Sequence, residues 1–499
     1  MARHRVPVQA LRNFLSILFG FAMGAVNNLV ILPWAFADDL ETWGLVRIIT
    51  AWGFLFAPIL IFGAPAAMNR YTGVMNRTNR VPQLMGSLMW PPIVLFAGFI
   101  ALPALAFPEH MGNLLNLSQE QRRAIQPIAI ISGIITARMF FTGFLTTKLK
   151  TSLATFVQET VFKFGYACIG VCLGLGWIGK TAFLPAFVGL HFFILLILLS
   201  QAIANQFRVD LRGIGRSEIR KEIRQYGGAL VIGSGAWVIL SQLDIIMVGS
   251  IMGLEYVPIF TVAAFIATVA NLPARAAQPL LTPLISQALD NRDDTEIDRI
   301  IGLSHRSLLL SCGWIVTCIW VSSPQIDPLL PEEFRNLSLV ILTLGFMQIV
   351  QSSSKGSSIL LSQSDHFKKT VIINWSMAAL AVPLNYLFIS KSGLGLGLLG
   401  AAMATFISIT MSTLAKQAVL WRVWKRFIPN LRTLIICVVL LIPALSLTHW
   451  NPSWQPVLTL LVKSALVTGW IVFATIQFNL APEGVQFARE KSPWLARWI

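Results

Sequence analysis

Seven ionisable side chains stand inside stretches that are otherwise apolar: Arg138, Glu159, Lys163, Asp244, Arg275, Lys355 and Lys463. A charge in hydrocarbon is costly, so each marks a site by default. Glu159 and Lys163 are spaced i, i+4 and either neutralise each other or face a cavity. Arg138 and Lys463 either snorkel to an interface or point inward. Arg275 follows Pro273 in NLPARAAQP, and Lys355 sits in the polar run QSSSKGSS. Such breaks persist at membrane depth only where protein or a water-filled cavity satisfies the backbone, so a cavity wall is expected for both. Outside the pair at 159 and 163, the balance is one acid against four bases, which favours an anionic ligand. Guanidinium groups suit phosphate oxygens in particular, through bidentate hydrogen bonds. Asp244 either holds Arg275 across an antiparallel helix pair or exchanges a coupling proton or Na⁺.

Other chemistries lack their residues. The six histidines (His4, His110, His191, His305, His366, His449) fall in separate segments, with no HExxH, and there is no GxxxxGK[ST] phosphate loop. No metal site and no bound cofactor are expected. Asp293, Asp294, Glu296 and Asp298 form an acidic run that reads as a solvated helix start. All five cysteines lie in apolar spans, so no disulfide framework and no zinc cluster is expected. A net charge of +16 raises nucleic acid as a partner. Topogenic Lys and Arg in cytoplasmic loops, close to anionic lipid, explain it better, and no nucleic-acid binding is expected.

The elements that position these groups are transmembrane helices. The chain is 55% hydrophobic and 12% charged, with a mean hydropathy of +0.70, where a soluble domain carries roughly 25% charge. Apolar runs long enough to cross a bilayer recur from end to end. Spans are expected at 13–36, 45–68, 84–107, 127–147, 153–175, 181–203, 228–250, 256–280, 306–326, 336–360, 371–390, 397–419, 431–449 and 456–478. The fold class is therefore all-α and polytopic, with about fourteen helices. The termini and even-numbered junctions hold roughly 27 Lys and Arg against about 6 in the opposite loops, which puts both termini in the cytoplasm.

The basic segment RVDLRGIGRSEIRKEIRQ divides the chain into an N-lobe (1–204), a linker (205–227), a C-lobe (228–420) and a peripheral pair of helices with a cytoplasmic tail (421–499). Leu40-Glu41 with TWGLVRIITAWGFLFAP can be laid over Leu254-Glu255 with YVPIFTVAAFIATVANLP, an acidic turn leading each time into a helix interrupted by proline. Duplicated halves with a site between them are a recurring transporter plan. The loop at 108–126 is too short for a catalytic domain, and the Trp- and Arg-containing tail APEGVQFAREKSPWLARWI reads as interfacial.

Several stretches carry a family resemblance. SQLDIIMVGSIMGLEYVPIFTVAAFIA resembles the seventh and eighth helices of polysaccharide flippases of the Wzx type, within the multidrug/oligosaccharidyl-lipid/polysaccharide exporter superfamily. NFLSILFGFAMGAVNNLVILPWAFADDLETWGLVRI is similar to that family's opening, AVPLNYLFISKSGLGLGLLGAAMATFIS to its later Asn, Gly-turn and GAAxAT pattern, and LLPEEF to the turn after its ninth helix. The resemblance implies two six-helix lobes around a central cavity, two peripheral helices and alternating access. The implied ligand is a polyprenyl-pyrophosphate-linked oligosaccharide moved between leaflets of a bacterial inner membrane, with other polysaccharide-assembly membrane proteins as partners. The first span departs from the pattern in lacking a central Arg or Lys, so N-lobe phosphate contacts fall to Arg47, Arg138 or Lys163.

The expectation is thus a flippase, not an enzyme, with pyrophosphate contacts from Arg275, Lys355, Arg138, Lys163 and Arg47 and with Asp244 and Glu159 as coupling or partner acids. A cation-coupled exporter of small amphiphiles is the alternative, though its site should be lined by acids and aromatics. A membrane glycan polymerase or ligase is the third reading, and the missing large outer loop and polar catalytic cluster count against it.

Overall fold

A computed structural model describes residues 2–110, 124–148, 150–210, 218–425, 431–452 and 454–480. The tail at 481–499, most of the 108–126 loop and the middle of the 205–227 linker lie outside the described residues. Among those residues the chain is all-helical, 86% helix with no strand. Eleven helices are long and apolar enough to cross a membrane. In chain order they are α1 (apolar over Leu15–Ala35), α2 (Leu40–Arg77), α3 (Val81–Ala106), α4 (Ile125–Thr147), α5 (Thr151–Gly174), α6 (Lys180–Ala204), α8 (Tyr256–Asp290), α9 (Asp294–Val321), α11 (Phe367–Ile389), α12 (Gly397–Trp424) and α14 (Pro456–Gln477). Three further helices have shorter apolar stretches: α7 (Glu218–Ile251, apolar over Val238–Ile251), α10 (Ser338–Ser353) and α13 (Leu431–Leu447). Together they make fourteen and fall one for one on the expected spans. The protein is a multi-pass membrane protein.

The chain forms two compact units, Met1–Pro258 and Ile259–Ile499. In the first, α2 packs on both α4 and α7, and α4 packs on α6. Aromatic residues seal this packing near the start of α2: buried Phe36 stacks on Trp43 at 5.9 Å and meets the Phe183 ring edge-on at 4.7 Å. Helices in lipid gain little from burying apolar surface and pack instead through close backbone approach at small residues. Gly44 of α2 is such a point, because a Cβ there would run into the carbonyl oxygen of Leu254 in the turn after α7. Gly44→Ala is therefore expected to destabilise the protein by about 1–3 kcal/mol. Gly73→Ala, which meets nothing within 4 Å, serves as the control. Thermal unfolding of the purified variants in detergent measures the difference.

In the second unit, α9 is the central packing element, contacting α8, α10, α13 and α14. The last two helices dock on it through Leu309, Leu440, Val467 and their neighbours. Its start is capped by Asp293, whose carboxylate accepts from the Glu296 amide at 3.0 Å. The acidic run thus begins a helix.

Several helices are broken, and the breaks position the charges. Helix α2 is interrupted after Leu60 and resumes at Ala64, with Phe62 and Gly63 at positive φ. Helix α8 tightens into a 3₁₀ turn over Val269–Asn271 before Pro273. Each of the two segments aligned in sequence therefore continues into a broken helix. Helix α10 stops at Ser353 and resumes as Lys355–Gln363 after a turn at Ser354. Helix α5 widens into a π turn over Val157–Val161, which contains Glu159.

Candidate functional site

Proline fixes the first element of the site. Pro273 has no N–H to give to the preceding turn, so α8 passes through its 3₁₀ turn immediately before Arg275. The serine run QSSSKGSS ends α10 in the same way before Lys355, because short hydroxyl side chains compete for the backbone. Ser353 and Ser354 do this directly, donating to the carbonyls of Val350 and Gln351 at 3.2 and 3.0 Å.

The two breaks are held to each other and to their surroundings by buried polar contacts. The Ser352 hydroxyl donates to Asn271 Oδ1 at 3.2 Å, joining the α10 break to the α8 break. His305 of α9 places Nδ1 3.0 Å from the Ser353 carbonyl. A carbonyl only accepts, so this nitrogen carries the proton. The other ring nitrogen then accepts from the Thr433 hydroxyl at 3.4 Å. On the far side of Lys355, the Gln417 amide of α12 donates to the Ser357 hydroxyl at 3.4 Å.

This framework gathers three cations. Lys355 is close enough to both Arg275 and Lys416 for their charges to repel. Arg275 is exposed, while Lys355 and Lys416 are half-buried. Among the described residues of this unit, none of the three has an ion pair or a side-chain hydrogen bond. Lys355 thus stands between two like charges, Arg275 and Lys416, and with no acid paired to any of them among the described residues of this unit, a polyanion would stabilise the site.

Lys416 did not stand out in the sequence, because it lies two turns from the end of its helix, where a lysine ordinarily reaches solvent. Lys463 is the converse case. It neither snorkels nor joins a cavity: it is fully buried in α14. Its ammonium donates to the Val321 carbonyl at 3.1 Å, Gln325 Oε1 at 3.2 Å and Asn451 Oδ1 at 3.1 Å. All three donors are used to cap the end of α9, which makes this a structural cation and removes it from the anion-binding balance.

In the first unit the cations assemble around Phe162–Tyr166 of α5. Arg138 is buried, with its guanidinium 5.2 Å from the centroid of the Phe162 ring. Its Nη1 donates to His191 Nδ1 at 2.8 Å. Arginine cannot accept, so His191 is the neutral Nε2–H tautomer. Buried Arg138 Nε and His191 Nε2 have no hydrogen-bond partner among the described residues. Lys163 pairs with Glu159 at 2.7 Å, both side chains partly exposed, which is the mutual neutralisation that their spacing allowed. Asn27, in the middle of α1, donates to the Lys163 carbonyl at 2.8 Å. Arg47 of α2 is half-buried, within electrostatic reach of Tyr166. Asp244 is buried in α7. The structure thus groups Arg47, Arg138, Lys163 and Glu159 in one unit, and Arg275 with Lys355 in the other. His191 and His305 orient the cations and their breaks, and neither belongs to any local motif.

No family model matches the chain, and no curated protein matches it. Solved structures do. The chain is similar to the lipid II flippase MurJ in its inward closed conformation, with a TM-score of 0.68 at 15% identity over 95% of this chain and 99% of that one. It is similar to an inward-facing multidrug resistance MATE transporter of the MOP superfamily, with a TM-score of 0.57 at 15% identity over 84% and 94%. A MOP-superfamily transporter from Pyrococcus furiosus, described as having a binding pocket of reverse polarity, matches with a TM-score of 0.58 at 15% identity over 84% and 95%. The fold is therefore the MurJ- and MATE-like transporter fold.

Proposed function

We propose that this chain is a flippase that moves a polyprenyl-pyrophosphate-linked oligosaccharide from the cytoplasmic to the outer leaflet of a bacterial inner membrane by alternating access, for surface polysaccharide assembly. The observation that carries the reading is the joining of the α8 and α10 breaks through Ser352 and Asn271, and of α12 through Gln417 and Ser357, which gathers Arg275, Lys355 and Lys416 with no ion pair among the described residues. A pyrophosphate linker presents several anionic oxygens in a small volume, which matches three converging cations. A multidrug resistance MATE transporter shares this fold, but a cationic drug would be repelled by these three cations. Within the first unit, Arg47 and Arg138 supply further positive potential, Lys163 joins them when the ligand or a proton displaces it from Glu159, and Glu159 or Asp244 takes up the coupling proton or Na⁺. Both termini face the cytoplasm. The protein works beside other polysaccharide-assembly membrane proteins and needs no bound cofactor.

Translocation in proteoliposomes tests this reading, using a fluorescent isoprenoid-pyrophosphate glycan in one arm and an amphiphilic cation in the other. Protein-dependent transfer of the glycolipid is expected. Transfer of the cation with none of the glycolipid would transfer the assignment to the exporter class. Lys416→Ala is expected to weaken glycolipid binding by about tenfold and to flatten its salt dependence, whereas Lys416→Arg should preserve both. Equilibrium binding at two ionic strengths measures this.

A further inference from the structure

A second basic cavity lies in the first unit, lined by none of the cations described above. A cavity of about 480 Å³ is lined by Arg12 and Leu15 of α1, by Lys150, Ser152 and Phe156 at the start of α5, and by Gln201 near the end of α6, among others. These are the N-terminal segment, the junction between the fourth and fifth helices and the end of the sixth. The Lys and Arg asymmetry places all three on one side, the cytoplasm. The cavity therefore sits where the head groups of the inner leaflet lie.

We propose that this cavity binds the head group of an anionic phospholipid from the cytoplasmic leaflet. Arg12 and Lys150 are exposed at its rim, and no acid is among the described residues that line it. Among the described residues neither side chain has an ion pair or a hydrogen bond, so both charges are available to a phosphodiester. The guanidinium offers paired donors and the ammonium a compact charge. The same lining holds the Ser152 hydroxyl and the Gln201 amide, neither engaged by another described residue, and both are suited to head-group hydroxyls. Asn205 is held back, its amide donating to the Gln201 carbonyl at 2.7 Å.

The apolar part of the lining selects a lipid over a free anion. Leu15 is 52% exposed and Phe156 47% exposed, so an acyl chain leaving the cavity would lie on side chains that already face the hydrocarbon. Inorganic phosphate or glycerol phosphate would use the cations and leave that wall wet. The site is made only of elements of the first unit and is independent of the transported molecule.

Native mass spectrometry of the full-length protein in detergent is the test, with phosphatidylglycerol and phosphatidylcholine of identical chains competing for it. Retention of phosphatidylglycerol at about fivefold or more over phosphatidylcholine is expected for the wild type. Arg12→Ala/Lys150→Ala should abolish the preference and Arg12→Lys/Lys150→Arg should keep it. Lys148→Ala, whose ammonium lies over the Phe144 ring at 5.7 Å and outside the cavity, should also keep it. Thermal midpoints of the variants establish that they are folded. Equal retention of the two lipids, or a preference unchanged in the double alanine variant, would overturn the proposal. So would displacement of the lipid by millimolar glycerol phosphate, which would make the site one for free anions. Displacement by a polyprenyl pyrophosphate dependent on Arg12 and Lys150 would overturn it in favour of a docking site for the carrier.

Discussion

Arg275→Ala is expected to abolish surface glycan while the protein still inserts and folds. Arg275 is exposed and has no ion pair or hydrogen bond among the described residues of its own unit, so its removal leaves no described buried group unsatisfied. The 3₁₀ turn and Pro273 that position it are untouched. What is lost is a charged, bidentate contact to the ligand. Truncating one partner of such a desolvated pair costs about 2–5 kcal/mol, on the order of a hundredfold in affinity or more. Lys355→Ala should act similarly. Lysine at 275 should rescue only in part, since an ammonium keeps the charge and loses the fork geometry. Glycan on the cell surface, measured alongside protein abundance in the membrane, decides the outcome. Normal glycan from both alanine variants would remove these cations from the site.

Lys463→Met should do the opposite, harming stability and sparing ligand affinity. The Lys463 ammonium is enclosed by the Val321 carbonyl, Gln325 Oε1 and Asn451 Oδ1, and Gln325 also donates to Asn451 at 2.8 Å. A methionine of similar length fills the space but leaves the Val321 carbonyl and the Gln325 oxygen without a donor. Each buried group left in that state costs about 1–3 kcal/mol. The loss falls where α14 meets the end of α9, so the thermal midpoint in detergent should drop by several degrees (about 2–4 °C per kcal/mol for larger domains). Binding measured well below that midpoint should match the wild type. A selective loss of binding at unchanged stability would instead return Lys463 to the ligand site.

The two lysines show where a sequence is readable and where it is not. Hydropathy marks the fourteen helices because the bilayer demands an apolar run in each, though the run is shorter in α7, α10 and α13. Arg275 and Lys355 are visible because each accompanies a backbone interruption, Pro273 or the serine run, that a membrane helix tolerates only for a reason. Lys416 carries no such flag. Its importance comes from Ser357 and Gln417, which are 60 residues apart in the chain and bring its helix against the α10 break. Lys463 looks like Lys355 in one dimension and differs only in three acceptors, of which Val321 is 142 residues away. Arg138 and His191 are 53 residues apart, and nothing local in either segment foretells that one will orient the other. The packing of α7 against α2 also escapes a reading that treats the basic 205–227 segment as a divide. It depends on Gly44 allowing the Leu254 backbone to approach, and Gly249 fitting against Ile48.

Recognition of pyrophosphate by Arg275, Lys355 and Lys416 can be read out by equilibrium binding. Wild-type protein in detergent would be titrated with an isoprenoid pyrophosphate, the matching isoprenoid monophosphate and the neutral isoprenoid alcohol, and then with each single alanine variant. Affinity should fall in that order, and each alanine substitution should erase most of the difference between pyrophosphate and alcohol. Equal affinity for all three lipids, or discrimination retained in the alanine variants, would contradict it.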